Sequence, residues 1–343
     1  MQRIRPLIVV ATAAALLPIG SGTASASAQP SLCASVATAP APEHSAHGAL
    51  HPKVRAFLRA YCAWGEAPAD IPKYMALFTP TGTLMDTGLA EPIGREIIEA
   101  QITNVVKRVE KYRFEPLSVS ASPDGRVAFV KARNTGIVDP VGPGLPVAVD
   151  YVTMHRLELS GAQVQQGRRF WDQTDLFRPL DPKLPDLFAG PDRNTSAGPG
   201  PARPEQSVRE RKRAWNTQDI DALVDGVNRL TELTGPGAAK GLKGPEAARA
   251  YLGKLFGKVR DLELEPGNTV REGRTTHREW VGHAIVRSDG REVSFGIVER
   301  FTRDGRGRTG WDLSFDTLDL VATPKQIEDL RGLIFPRPAT PAS

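Results

Sequence analysis

From Leu50 to about residue 109 the apolar positions recur at helical spacing, and beyond 112 the period drops to two. Val54, Phe57, Leu58, Tyr61 and Trp64 share one face of a first helix. A short second helix is predicted over about 70–78, with Pro72 tolerated in its first turn, and Ile97, Ile98, Ile102, Val105 and Val109 line one face of a third that starts at Gly94. Between the second and third helices Thr81 to Asp86 alternates as a strand. Four longer strands follow at 112–121, 126–138, 146–159 and 164–177, punctuated by Pro123-Asp124-Gly125, a Pro/Gly loop at 140–146 and Ser160-Gly161. Helices first and antiparallel strands later give an α+β plan, in which a twisted sheet closing over helices on one face leaves a hollow.

The same order then returns. Gly94, Glu96, Ala100, Val109, Glu115 and Pro116 recur 150 positions later as Gly244, Glu246, Ala250, Val259, Glu265 and Pro266, while Arg156, Asp172, Asp175 and Leu176 recur 144 later as Arg300, Asp316, Asp319 and Leu320. Ala63-Trp64 returns as Ala214-Trp215. Matches that keep their spacing through helical and strand-like stretches indicate a duplicated whole domain, not a short stacking repeat. The expected domains are 50–180 and 205–335, joined by a Pro/Gly-rich linker at 181–204. In the second, helices are predicted around 206–217 and 219–233, a third carries Ala247, Ala248, Tyr251, Leu252, Leu255 and Val259, and a short helix from Pro324 follows the last strand. Residues 29–49, rich in Ala, Pro and Ser, read as a flexible leader, and 336–343 as a tail.

Residues 1–28 carry basic residues, the apolar run Pro6 to Ile19, and the small-residue stretch Ala24-Ser25-Ala26-Ser27-Ala28, the layout of a cleaved secretory signal peptide. The run is shorter than the roughly 20 residues that span a bilayer, so an exported chain without a transmembrane segment is expected. The formal net charge is +5 over 343 residues, and two of the basic residues, Arg3 and Arg5, lie in the signal-peptide stretch; nothing here supports nucleic-acid binding. The densest basic run, Arg209, Arg211, Lys212 and Arg213, reads as a solvated helix face. The two cysteines, Cys33 and Cys62, are either a disulfide that ties the leader to the first helix, as an oxidising compartment permits, or two separate thiols. His44 and His47 fall in the leader and His51 directly after it, so no metal site is expected, and no cofactor-binding loop or hydrolase signature is present; Gly305-x-Gly-x-x-Gly310 joins two strands with no helix after it.

Two runs in the second copy, His277-Arg278-Glu279-Trp280-Val281-Gly282 and Asp289-Gly290-Arg291-Glu292-Val293-Ser294-Phe295, resemble nuclear transport factor 2-like domains of the SnoaL-like kind. The first copy resembles the steroid delta-isomerase branch of that superfamily. The resemblance implies two cone-shaped domains, each with N-terminal helices packed on a curved antiparallel sheet. It also implies roles: Tyr61 matches the helical tyrosine that stabilises an oxyanion and Asp86 the proton-shuttling aspartate. In the stretch Ala148 to Leu157, Thr153 stands where the family has a second, protonated aspartate, and a neutral hydroxyl does not reproduce the donation of a buried acid.

Taken alone, Asp86 is a carboxylate after the apolar pair Leu84-Met85, the setting in which a carboxylate becomes a general base, and equally a residue that caps the turn Asp86-Thr87-Gly88. His155 shares a strand face with Tyr151 and Thr153, either as an acid or base or as a half-buried structural histidine. Trp171, matched by Phe315, suits a stacked ligand or plain packing. The second copy lacks the set: Pro236 stands for Asp86, Lys212 for Tyr61 and Glu299 for His155, although Trp280 and Glu299 are candidates to line a pocket. The function expected is therefore binding of a small apolar or polycyclic molecule without turnover. The alternative is an isomerase, cyclase or dehydratase in the first domain with Asp86 as base and Tyr61 and Thr153 as donors. Either way the two copies are able to pair as an internal pseudo-dimer.

Overall fold

The computed structural model describes residues 32–38, 50–89, 91–139, 145–189, 206–304 and 307–334. The signal-peptide stretch, His44 and His47, most of the linker and the tail lie outside them. The N-terminal half comprises α1 (Leu32–Thr38), α2 (Pro52–Gly65), α3 (Ile71–Met75), β1 (Phe78–Met85), β2 (Ile93–Gly94), α4 (Arg95–Arg108), β3 (Val109–Ala121), β4 (Val127–Val138), β5 (Val147–Ser160), β6 (Gln163–Phe170) and α5 (Gln173–Phe177). The C-terminal half repeats this as α6 (Val208–Asn216), α7 (Ile220–Leu223), β7 (Val227–Thr234), β8 (Leu242–Lys243), α8 (Pro245–Phe256), β9 (Val259–Glu272), β10 (Thr275–Val286), β11 (Glu292–Asp304), β12 (Gly307–Ser314) and α9 (Leu318–Val321), and adds α10 (Pro324–Ile334).

Each half forms a six-stranded sheet, ordered β2-β1-β6-β5-β4-β3 and β8-β7-β12-β11-β10-β9. The four long strands of each half are antiparallel neighbours, as the alternation predicts, but β1 joins β6 and β7 joins β12 in parallel, so the sheets are mixed. Along β5 the period of two sorts the residues: Thr153, His155 and Leu157 face the helices, while Met154 and Arg156 face away. On the inner side Val54, Phe57, Leu58, Tyr61 and Trp64 of α2 and Ile98 and Ile102 of α4 pack with Phe114, Val130 and Ala132 of the sheet.

The outer faces of the two sheets meet each other. Phe129, Met154 and Phe170 cluster with Val270 and Val298, and the Phe129 ring stacks on His277 at 5.0 Å. Around this apolar patch Lys131 pairs with Asp312 at 2.5 Å and Arg156 with Glu279 at 3.3 Å. At one end the repeat-related residues Asp172 and Asp316 exchange bonds. Asp172 accepts from the Thr317 backbone at 3.1 Å and its hydroxyl at 2.8 Å, and Asp316 from the Gln173 backbone at 2.9 Å and side chain at 2.8 Å. The same residues serving both sides is the mark of an isologous contact. Helix α10 then crosses back: Ile327 and Leu330 pack in one cluster with Trp171, Leu176 and Val149 of the first domain.

Four expectations change. The leader is not featureless, because Leu32–Thr38 is helical, Val36 is buried, and Cys33 is disulfide-bonded to Cys62 with their Cα atoms 5.6 Å apart. The linker's first part is packed: Leu184, Leu187 and Phe188 are buried, and Phe188 stacks on Tyr251 at 4.1 Å. Residues 219–233 are not one helix. After the four residues of α7, Gly226 turns the chain at φ 80° and β7 begins, bulged where the Asn228 amide donates to the Thr231 hydroxyl at 2.9 Å. Strand β6 ends at Phe170, because Asp172 caps α5 by accepting from the Thr174 amide at 3.1 Å. No described helix is long and apolar enough to cross a membrane.

The disulfide closes a loop of 29 residues in sequence separation, so chain entropy alone makes it worth about 3–4 kcal/mol. A Cys33→Ser/Cys62→Ser variant is expected to lose that much unfolding free energy in urea and the hydrogen-exchange protection of α1; unchanged protection would contradict the packing of α1 described here.

Candidate functional site

Beneath α2 and α4 the first domain encloses a hollow with a free volume of ≈ 60 Å³. The candidates Tyr61, Asp86, Tyr151, Thr153, His155 and Trp171 all line it, joined by Trp64, Tyr74, Tyr112, Phe114, Asn134 and Arg169. The walls are aromatic because three elements aim rings inward: Tyr61 and Trp64 one helical turn apart on α2, Phe114 on β3 and Tyr151 on β5. The Tyr61 ring lies 4.4 Å from that of Phe114, and Tyr151 4.9 Å from that of Trp171.

A chain of polar side chains crosses one wall. The Tyr61 hydroxyl is 3.5 Å from His155 Nδ1, His155 Nε2 is 2.8 Å from the Thr153 hydroxyl, Asn134 donates to Thr153 at 3.2 Å, and the Tyr112 hydroxyl donates to Asn134 at 2.7 Å. Burial, reinforced by the Arg169 charge, drives the His155 pKa down to about 3, and burial followed by neighbouring Tyr74 raises the Tyr61 phenol well above its ordinary range. Both groups are therefore neutral across physiological pH. His155 is correctly placed by the sequence on the face of Tyr151 and Thr153, but it is a neutral linking group with both nitrogens engaged, not a group poised to exchange protons near pH 7.

Asp86 sits at the other end. Its carboxylate is ion-paired with Arg169, and one oxygen also accepts from the Trp171 indole at 3.0 Å and from the Thr87 amide at 2.9 Å. The turn-capping role and the place in the hollow are thus both real. What the sequence reading lacked is the cation: three donors hold a carboxylate that had been pictured alone among apolar neighbours. Arg169 is buried enough that desolvation works against its charge, yet Asp86, with help from Tyr74 and Tyr151, holds its pKa above the ordinary value. The sequence signal for Arg169 is weak, since it stands beside Arg168 in a strand where one faces in and the other out. Only the register, with His155 opposite Arg169, decides that 169 is inside.

In the second domain the corresponding space is occupied. Glu299, expected to line a pocket, has a fully buried side chain and is bonded to Arg211 at 2.6 Å, to the Trp280 indole at 2.8 Å and to that of Trp311 at 3.2 Å. The Arg211 guanidinium lies 4.9 Å from the Trp311 ring centre and also donates to the Leu223 carbonyl. Burial works to raise the Glu299 pKa, but Arg211 and the other donors outweigh it and hold the carboxyl below its ordinary range. Trp280, likewise expected at a pocket wall, is wholly buried core. Arg211 is 1% exposed, which corrects its reading as part of a solvated basic face, and it, not Lys212, plays against Glu299 the part that Tyr61 plays against His155. Lys212 points outward to Glu265. Ladder positions complete the contrast: Trp280 opposes Ile297 where Ala132 opposes Thr153, Phe295 stands for Tyr151, and Leu313 for Arg169.

SnoaL-like family models match both halves, over residues 54–142 and 208–308. The chain carries two SnoaL-like domains in tandem. Solved structures similar to parts of it include an NTF2-like protein of unknown function from Burkholderia pseudomallei (16% identity, 34% of this chain and 95% of that one, TM-score 0.31). A putative SnoaL-like polyketide cyclase from Jannaschia sp. (18%, 41% and 97%, 0.33) and an epoxide hydrolase of M. tuberculosis (18%, 38% and 92%, 0.31) are others. Similarity at this level says nothing of what the tandem SnoaL-like chain itself binds. No curated protein sequence matches it. Among the described residues no cluster of His, Cys, Asp or Glu is arranged to hold a metal ion.

Two measurements follow from these burials. Leaving Arg211 buried without its partner costs about 3–5 kcal/mol, whereas replacing both partners by apolar groups removes the desolvation cost as well. Glu299→Leu should therefore lower unfolding free energy by that amount and Arg211→Met/Glu299→Leu by much less, in urea melts; equal losses would contradict the pairing. For His155 the folded pKa of about 3 lies below the unfolded 6.5, so as pH falls through that window the unfolded chain binds a proton that the folded chain refuses, and stability drops by about 1.4 kcal/mol per pH unit. Asp175, pushed up to about 7 by burial and by Asp172, acts in the opposite sense, so the imidazole is isolated by comparison. Relative to wild type, His155→Gln should gain about 1.4 kcal/mol per pH unit between 6.5 and 4; a difference independent of pH would contradict the burial.

Proposed function

We propose that the first domain of an exported chain binds a small, largely apolar molecule in its hollow without turning it over, and that the second domain is a filled scaffold that supports it. The observation that carries this reading is the contrast between equivalent interiors. Small or polar side chains, Ala132, Thr153 and Tyr151, stand in one where Trp280, Ile297 and Phe295 stand in the other. A domain under no demand but stability fills its interior, as the second has done. Export is supported by the hydrophobic leader and by the disulfide, which persists in oxidising compartments.

The free volume sets the manner of binding. At ≈ 60 Å³ it is below the about 150 Å³ that takes benzene in a protein interior, so the hollow admits one end of a ligand, and the rings of a polycyclic molecule would remain outside it. Proton abstraction next to a carbonyl is the second reading, favoured by Asp86 and Tyr61 lining one hollow. It requires Asp86 to give up Arg169 first, which is why binding is preferred.

The test is to expose the full chain to an apolar metabolite extract and identify retained molecules by mass spectrometry, beside an Ala132→Trp variant that copies the second domain. Retention by wild type and at least tenfold loss in the variant, with unchanged circular dichroism, is expected; equal retention by both would place the ligand elsewhere. Hydrogen exchange into a retained ketone that disappears in Asp86→Asn would favour the catalytic reading.

A further inference from the structure

The exchange of bonds between Asp172 and Asp316 is flanked by two cavities that the duplication makes equivalent, and they are not filled alike. One lies between Asp316 and Asp319, at the start of α9, and Arg168 and Arg169 of β6, with a free volume of ≈ 40 Å³. The other lies between Asp172 and Asp175, at the start of α5, and Asp312 and Leu313 of β12, with a free volume of ≈ 150 Å³, enough for a benzene-sized group. Each of these residues has its counterpart 144 positions away.

In the smaller cavity the carboxylates have guanidinium partners. Asp86 is paired with Arg169 and Asp319 with Arg291 at 3.4 Å, and Arg168 is a further cation in the lining. In the larger cavity every one of these cations is gone: Asp312 stands for Arg168, Leu313 for Arg169 and Val147 for Arg291. The ladder confirms the last, since Val147 lies opposite Val138 as Arg291 lies opposite Val286. Among the described residues Lys131 is the one cation in this lining, and Asp312 takes it at 2.5 Å.

The consequence falls on Asp175. Its repeat mate holds a guanidinium, whereas the Asp175 carboxylate has no hydrogen-bond or ion-pair partner among the described residues. Arg178 is spent elsewhere, donating to the Thr174 hydroxyl at 3.3 Å and lying 3.9 Å from Asp186, and Asp150 is paired with Arg133. Asp172, beside it, is held by neutral donors alone, the amides and hydroxyls of Thr174 and Thr317. Burial first and Asp172 next push the Asp175 carboxyl up to about 7, against the pull of Arg178. A half-buried carboxylate without a cation is costly, and a cationic ligand removes that cost.

We propose that the larger seam cavity is a second binding site, for a small organic monocation with a planar amidinium or guanidinium head, which takes against Asp175 the place that Arg291 takes against Asp319. The fork of such a head matches a carboxylate, and the rings of Trp171 and Phe315 in the lining give it a face to lie on. Trp171 also lines the hollow, so the two spaces share a wall but not an interior, and the proposal does not rest on the binding reading above.

Three probes of one size test it: benzamidine, the uncharged benzamide, and benzoate. Dissociation constants are measured on the full chain by ligand-observed NMR at pH 8. Benzamidine is expected to bind about tenfold more tightly than benzamide, with benzoate weaker than both, and to bind Ala132→Trp as it binds wild type. Asp175→Asn is expected to erase the preference for benzamidine. Val147→Arg, which copies the second domain and supplies the guanidinium from within, is expected to raise Tm and to weaken benzamidine about tenfold or more; it carries the test alone if Asp175→Asn does not fold. Equal affinity for benzamide, benzamidine binding unchanged in the folded variants at 175 and 147, loss of binding in Ala132→Trp, or no saturable binding of benzamidine would each overturn the proposal.

Discussion

Each domain carries a polar residue at the centre of its third long strand, facing the helices, and the cost of burying that one group governs the rest. A carboxylate cannot stay ionised in an apolar interior without a cation and several donors. Glu299 therefore draws in Arg211, Trp280 and Trp311, whose bulk leaves no room around it. A neutral imidazole asks for less. His155 is satisfied by two small contacts, with the Thr153 and Tyr61 hydroxyls, so the space next to it is not consumed by its own solvation. One fold thus holds a solid core around a charged group and a hollow beside a neutral one, with the larger side chains at Trp280, Ile297 and Phe295 adding to the contrast.

The plan of the molecule was legible because its causes are local and repeated. The 150- and 144-residue offsets, the helical faces of α2 and α4 and the alternation along β3 to β6 all follow from periodicity, and the structure returns them within a few residues. The constant offset of Asp172 and Asp316 also falls on the seam between the domains, which the offset alone does not reveal: these aspartates cap helices across the interface. What escaped the sequence is whatever depends on which of two neighbouring residues faces inward. Arg168 and Arg169 are adjacent and identical, yet only Arg169 reaches Asp86, and Arg211 hides in a run of basic residues whose other members read correctly as solvated. The buried cation in each domain was missed for one reason, that a charge gives no hydrophobic periodicity. Residues 219–233 failed differently: the local apolar spacing suits a helix, but Gly226 and the bulge after it commit the chain to a strand.

The interface gives the duplication a mechanical sense. The outer faces of both sheets are covered by each other, so neither needs to be polar, and α10 brings Ile327 and Leu330 of the second half against Trp171 and Leu176 beside the first hollow. Arg331 of the same helix donates to Gln173, which in turn donates to the carbonyl of Thr87, the residue after Asp86. The filled domain is therefore in contact with the walls of the open one.

One interior is hollow and its duplicate is not. Xenon reports this directly, since it enters dry apolar cavities and scatters strongly. In crystals of the chain pressurised with xenon, an atom is expected within the first domain among Tyr61, Tyr151 and Trp171, and none around Glu299. Xenon absent from the first domain, or present to equal occupancy in both, would contradict it.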